Sequence, residues 1–325
     1  MADKTLLIGD IGGTNARFAI ANPGSPGFSD AMTLQCADYA SADDAIRHYL
    51  NEVTAASPEV ICLAVAGPVI DGTVQVTNNH WTLNAADIAA DFGISDVQLL
   101  NDFEAVAFSI PQLQAGDTEV IGLPDRKPTL GENFNIAILG PGTGLGTAGL
   151  VSRRSTIVPI VGEGGHVGFA PKSQVQVDIL NTLRSKFDRV SVERLVSGSG
   201  IENIYWALTR IHGEQRTPLS AKEIFAVSLD NGDPRASEAV HMFYEILGQV
   251  AGDLALTLGA TDGVYLAGGI AMRYPNLLQD SGFRNAFDNK GRHRALMERI
   301  PTLLITHDEP GLLGAAYCAL ELSCV

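Results

Sequence analysis

The 325-residue chain lacks the marks of several protein classes. It has only 22 lysines and arginines against 37 aspartates and glutamates, a net charge of −15. So acidic a chain is unsuited to nucleic acid or to an anionic membrane surface, and neither partner is expected. Its four cysteines, Cys36, Cys62, Cys318 and Cys324, are widely spaced, with no CxxC pair and no Cys/His cluster. That spacing argues against a structural zinc site and fits a reduced, cytoplasmic chain. No apolar run reaches the ~18 residues that a membrane helix needs. The opening residues carry no basic flank, so no signal peptide is expected. GxxxxGK[ST], HExxH and GxSxG are all missing, which removes the P-loop, zincin and nucleophile-elbow readings. Apolar residues make up 46%, enough for sizeable cores, and the length accommodates two domains.

The stretch Thr5-Leu-Leu-Ile-Gly-Asp-Ile-Gly-Gly-Thr-Asn-Ala-Arg-Phe-Ala-Ile20 dominates what is present. Leu6 to Ile8 and Ala16 to Ile20 read as strands, and between them lies a turn with almost no bulk. Its glycines let another molecule approach the backbone N–H groups, which form an anion-binding concavity. Thr14 and Asn15 add neutral donors. Asp10 repels a phosphate on its own, but a Mg²⁺ held directly or through water turns its charge into an asset. A plain tight hairpin is the other reading of this pattern.

Helix 41–53, strand 60–65, strand 73–77 and strand 97–100 follow, with a helix from about Phe103, so the first part is α/β. Residues 117–133 are irregular and rich in Gly, Pro and charge, as in a crossing between domains. Asn135 to Val151 then repeats the opening plan, strand, Gly/Thr turn, strand, and suggests a duplicated domain. Gly144, Gly146 and Gly149 satisfy GxGxxG, but residues 150–160 read as strand where a dinucleotide site needs a helix. Further on, Ser199 with Glu202 predicts a capping box opening a helix to Ile211. Residues 237–258 form the longest helix, flanked by small residues Gly248, Ala251, Gly252 and Ala255. Strand 263–267 stops at Gly268-Gly269, and residues 310–320 make a last helix.

Three places carry candidate chemistry. Asp102 sits where a strand hands over to a helix, the position at which ligands meet α/β sheets. Equally, Asn101 and Glu104 make a capping box there. Glu163 and His166 are held among four glycines, a setting that suits a polyhydroxylated ligand or a solvated turn. Glu193, in Ser191-Val-Glu-Arg194, reads alone as an ordinary surface charge.

Together the segments resemble the bacterial glucokinases of the non-ROK type, within the hexokinase/actin/Hsp70 superfamily. The matching stretches are Gly9-Asp-Ile-Gly-Gly-Thr-Asn-Ala-Arg17, Thr77-Asn-Asn79 with Trp81, Asn101-Asp-Phe103, Leu139-Gly-Pro-Gly-Thr-Gly-Leu-Gly146, Glu163-Gly-Gly-His166, Ser191-Val-Glu-Arg194, Ala267-Gly-Gly-Ile270 and Pro310-Gly-Leu-Leu-Gly-Ala315. The cysteine-rich zinc loop of ROK kinases is missing. The resemblance implies a two-domain, actin-like (ribonuclease H-like) α/β fold with a ligand cleft. The domains would be residues 1–112 with 305–325, and 113–304. It further implies an ATP-dependent hexose kinase acting on D-glucose, with Mg²⁺, as a homodimer. Asn101, Asp102, Glu163, His166 and Glu193 would hydrogen-bond the sugar, and Asp102 would be the general base. Gly9, Asp10, Ile11, Gly12, Gly13 and Thr14, with Asn15, would form the first phosphate loop. Gly142, Thr143 and Gly144 would form the second, with Gly268 and Gly269 against the adenosine and Asp10 at the metal. Kinases for other hexoses, a sugar-responsive regulator and an assembling ATPase are the alternatives.

Overall fold

The computed structural model describes residues 5–22, 27–124, 127–230 and 232–323. They fall into two compact units, Met1–Asp117 with His307–Val325, and Thr118–Thr306.

In chain order the first unit contains β1 (Leu6–Ile11), β2 (Asn15–Ala21), β3 (Phe28–Gln35), α1 (Ala42–Glu52) and β4 (Val60–Val65). After these come the small hairpin β5 (Thr73–Gln75) and β6 (Thr82–Asn84), then α2 (Ala85–Phe92), β7 (Asp96–Asn101) and α3 (Asp102–Ser109). The second unit runs β8 (Thr118–Val120), β9 (Phe134–Pro141), β10 (Leu145–Arg153), β11 (Thr156–Gly162), α4 (Gln174–Leu183), α5 (Gly198–Ile211), α6 (Ala221–Leu229) and α7 (Pro234–Leu258). It continues through β12 (Gly263–Leu266), the short helices α8 (Gly269–Arg273), α9 (Pro275–Gln279), α10 (Phe283–Asp288) and α11 (Arg294–Met297), and β13 (Thr302–Ile305). The chain then re-enters the first unit as α12 (Pro310–Ser323).

The first sheet has the order β3-β2-β1-β4-β7, the second β11-β10-β9-β12-β13-β8. In each, three antiparallel strands are followed by two that join in parallel. The sequence echo between the two glycine turns is therefore an echo of topology, with β8 the extra strand of the second sheet. That strand lies inside the segment expected to be irregular, paired antiparallel to β13.

Alternation along the strands sorts side chains to two cores. From β1, Leu7 and Ile11 pack with Ile46 and Tyr49 of α1, while Leu6 and Ile8 meet Leu312, Ala315 and Ala319 of α12. Residues of β4 are buried throughout because helices cover both faces of this parallel part of the sheet. In the second unit α7 is the central helix. Its small flank works as expected: Gly248 and Gly252 lie against the backbone of α10, where a Cβ at either would collide with a carbonyl of Phe283 or Phe287.

Two helix starts differ from expectation. Ser199 does not cap α5; Ser197 does, its Oγ accepting from Gly200 N at 3.0 Å. Glu202 instead accepts from Ala221 N at 2.9 Å, tying α5 to α6. The long helix α7 begins at Pro234, three residues early, because Asp233 caps it and also receives Tyr205 Oη at 2.9 Å and Arg216 Nη1 at 2.6 Å. Among the described residues no helix is long and apolar enough to cross a membrane.

Candidate active site

In the first unit β1, β4 and β7 run parallel, so their carboxyl ends lie side by side. Those ends carry Gly12, Ala66-Gly67 and Asn101-Asp102, the place where open α/β sheets meet ligands. The exposed backbone of the first loop is narrower than the sequence suggests. Gly9, Asp10 and Ile11 belong to β1, whose backbone is paired on both sides, and Ile11 is fully buried. Gly12, Gly13 and Thr14 form the turn itself, closed by Gly12 N donating to Asn15 O at 2.9 Å. Asn15 opens β2, and its Oδ1 receives Gln35 Nε2 at 2.6 Å.

The Thr77–Trp81 segment holds this turn in place. Asn79 Nδ2 reaches Gly12 O at 3.4 Å, and its Oδ1 accepts from Trp81 N at 3.1 Å. The buried Trp81 indole donates to Tyr39 O at 3.2 Å. A cavity of about 560 Å³ opens beside the turn, lined by Gly13, Thr14, Cys36, Asn78, Asn79 and His80 among others.

Asn101 and Glu104 do form the capping box. The Oδ1 of Asn101 accepts from Phe103 N at 2.9 Å and its Nδ2 donates to Gly67 O at 3.0 Å, so this side chain is already committed to joining β7, α3 and the end of β4. Asp102 is the first residue of α3, partly exposed, with Oδ1 receiving Phe103 N at 3.0 Å.

Asp10 is the most perturbed carboxylate. Burial pushes its pKa up to about 6; Arg17 opposes the rise, and the charges of Asp102 and Glu309 add to it. Arg17 lies directly opposite Asp10 in the β1–β2 register, 3.8 Å away, and binds Glu309 Oε1 at 3.1 Å. Sequence reasoning missed Arg17 and Glu309. Aligning the two strands across the glycine turn pairs Asp10 with Arg17 and would have found the first; no local signal marks Glu309.

Asp10 thus feels two further acidic charges against one arginine, a setting that a dication would relieve. Among the described residues no group of three His, Cys, Asp or Glu could hold a metal alone. A Mg²⁺ that keeps several waters and uses one or two carboxylates together with substrate phosphates needs no such group, and Asp10 is the carboxylate that would meet it.

The perturbed Asp10 sets a pH dependence. A folded-state pKa of about 6 against an ordinary 3.8 means that the fold holds this proton more tightly than the unfolded chain does. Its stabilising share is complete below the ordinary value and lost as pH rises through about 6. In metal-free buffer at pH 8, Asp10→Asn should thus be more stable than the parent, by at most ~3 kcal/mol. Solvent reaching the exposed quarter of the side chain makes the gain smaller. Urea unfolding at pH 4 and pH 8 checks this; a variant less stable at pH 8 contradicts it.

The second unit gathers the other predicted residues. Gly142, Thr143 and Gly144 join β9 to β10, with Gly142 N donating to Gly144 O at 2.8 Å. Gly268 has φ +89°, and a Cβ there would lie 2.6 Å from Pro141 O, so the third glycine turn abuts the second. Gly269 opens α8 and is exposed. The apparent GxGxxG leads into β10 and β11, as a hairpin.

Glu163 and His166 flank a single 3₁₀ turn and are both exposed. Gly164 N donates to Thr147 Oγ1 at 3.0 Å, so the turn rests on β10. Glu193 also stands on a 3₁₀ turn rather than on a helix surface. Its Oε1 lies 3.8 Å from His166 Nε2 and its Oε2 accepts from Leu145 N at 2.9 Å.

The family model described as "Glucokinase" matches residues 7–322. A glucokinase of Marinobacter nauticus is 44% identical over 319 residues, covering 97% of each chain. The crystal structure of a glucokinase from an Antarctic psychrotroph superposes with a TM-score of 0.89 at 34% identity, over 98% of this chain and 99% of that one. A ROK-family glucokinase from Streptomyces griseus, at 19% identity and a TM-score of 0.64 over 98% and 99% of the two chains, shares the fold. The order of the strands, the three glycine turns and these likenesses together place the chain in the glucokinase family, with its two-unit, actin-like ATPase fold.

Proposed function

We propose that this chain transfers the γ-phosphoryl group of ATP to the 6-hydroxyl of D-glucose, giving glucose 6-phosphate and ADP. The observation that carries the reading is the convergence of Gly12–Thr14, Asp10 and Asp102 at the carboxyl ends of parallel strands, close enough for the charge of Asp102 to act on Asp10. Phosphoryl transfer through a loose transition state needs positioning and charge stabilisation more than covalent chemistry. Asp102 accepts the proton of the 6-hydroxyl as its oxygen attacks the γ-phosphorus. Asn101, Glu163, His166 and Glu193 pair with the other sugar hydroxyls. Backbone N–H groups of Gly12–Thr14 and Gly142–Gly144 receive the phosphates, and Gly268–Gly269 borders the adenosine. Mg²⁺ held at Asp10, directly or through water, would neutralise charge on the β- and γ-phosphate oxygens.

We assign the reaction to the cytoplasm. A homodimer is the proposed assembly, which sedimentation would check.

Selectivity follows from pairing hydroxyls with side chains, since a buried polar group left unpaired is costly. Glucose should therefore be used with a higher kcat/KM than fructose or galactose. A steady-state comparison of the three sugars with ATP tests this, and equal values would overturn the assignment to glucose.

A further inference from the structure

Glu193 does something that sugar contact alone does not require. Its two carboxylate oxygens face different parts of the second unit. Oε2 accepts the backbone N–H of Leu145 at 2.9 Å, immediately after the second glycine turn. Oε1 faces His166 Nε2 at 3.8 Å, an ion pair whenever that imidazole is protonated. The side chain is 28% exposed, so it is held at the turn without being closed off from solvent.

The same segment holds the turn a second time. Ser197 Oγ donates to Glu193 O at 2.8 Å, and the next residue, Gly198, donates its N–H to Gly142 O at 2.8 Å. Residues 142–145 are thus hung at both ends on residues 193–198. A Cβ at Gly144 would lie 2.5 Å from Glu193 Oε2, so a side chain here would push the carboxylate aside. Glycine at 144 therefore makes space for the carboxylate, apart from any approach of phosphate. On the sugar-facing side, Val192 N donates to Val167 O at 2.9 Å, which fixes the 3₁₀ turn of Glu193 beside that of His166.

We propose that Glu193 is a positioning residue for the nucleotide as well as a sugar ligand: it clamps the second phosphate turn through Leu145 N–H, so that one carboxylate serves both substrates. This rests on the kinase reading above. Nucleotide affinity should depend on Glu193 even when no sugar is present, whereas His166, which faces Glu193 Oε1 and not the oxygen on Leu145 N–H, should not affect it.

The test is calorimetric titration of a non-hydrolysable ATP analogue with Mg²⁺, without sugar, into the parent and four variants, alongside steady-state glucose kinetics. Glu193→Ala removes the side-chain acceptor from a backbone donor, and should raise the analogue Kd about tenfold or more. Glu193→Gln keeps an acceptor for Leu145 N–H, so its analogue Kd should stay within about threefold while the glucose KM rises about tenfold. Gly144→Ala leaves Glu193 in the chain but displaces its carboxylate, and should weaken the analogue as Glu193→Ala does. His166→Ala should raise the glucose KM only. If Glu193→Ala fails to fold, Gly144→Ala and the rescue by Glu193→Gln decide between the outcomes. An analogue Kd unchanged in a folded Glu193→Ala would overturn the clamp and leave Glu193 a sugar ligand only, whatever Gly144→Ala does, since a methyl at Gly144 also narrows the approach of phosphate. A parent that binds neither analogue nor glucose would refute the kinase reading itself.

Discussion

Asp102→Asn is expected to lower turnover by about 10²–10⁴ while sugar affinity changes little. The amide keeps the size of the carboxylate and can still hydrogen-bond a hydroxyl, but it cannot take the proton that leaves as the oxygen attacks. The position favours that role. Asp102 is the first residue of α3, beside a capping box made by Asn101 and Glu104, and the amide oxygen of the variant can still accept from Phe103 N. The variant carries a second signature. The charge of Asp102 is one cause of the raised Asp10 pKa, so removing it should bring that pKa down from about 6. Steady-state kinetics measures the first effect, and the pH at which the stability of the parent and of Asp102→Asn begins to diverge measures the second. A turnover within about threefold of the parent would remove general-base action from Asp102.

Gly314→Ala should be the most disruptive single methyl in the first unit. A Cβ at Gly314 would fall inside the carbonyl of Ala105 and crowd Ser109 N, so α12 can lie on α3 only because this residue is glycine. Overpacking against backbone cannot be relieved by a rotamer change, so a loss of at least ~3 kcal/mol is expected. That corresponds to a fall in Tm of roughly 10 °C. The effect on catalysis should exceed the effect on stability. Any shift of α12 moves α3, which begins with Asp102, and moves the first turn of α12, where Gly311 lies about 3.0 Å from Asp10 Oδ2 by the position of its missing Cβ. Asp10 and Asp102 are thereby both set by one helix crossing. Gly314→Ala with the parent's Tm and turnover would contradict this packing.

What could be read from the sequence follows burial. Strands β1, β4, β9 and β10 announced themselves because runs such as Val60–Val65 are apolar throughout, as a sheet covered on both faces demands. Strand β3 left no such trace: it pairs only with β2 at the sheet edge, and most of its residues are exposed or half-exposed. Its polar residues carry no alternation to detect. The capping box at Ser199 failed for a different reason. Ser197 offered an equal hydroxyl two residues earlier, and tertiary contact with α6 took Glu202 away.

For the site, glycine turns and isolated acids between them were visible because such residues are unusual in regular elements. Their partners were not. Arg17 and Glu309 come from opposite ends of the chain and meet only through the return of α12 to the first sheet. The link from Glu193 to Leu145 likewise depends on a 3₁₀ turn that no local periodicity marks.

The most direct test of the account is ADP release from ATP and Mg²⁺ with and without glucose. A glucose kinase should release ADP in step with glucose 6-phosphate, and at a small fraction of that rate when sugar is left out. An equal rate of ADP release in the presence and absence of glucose would contradict it.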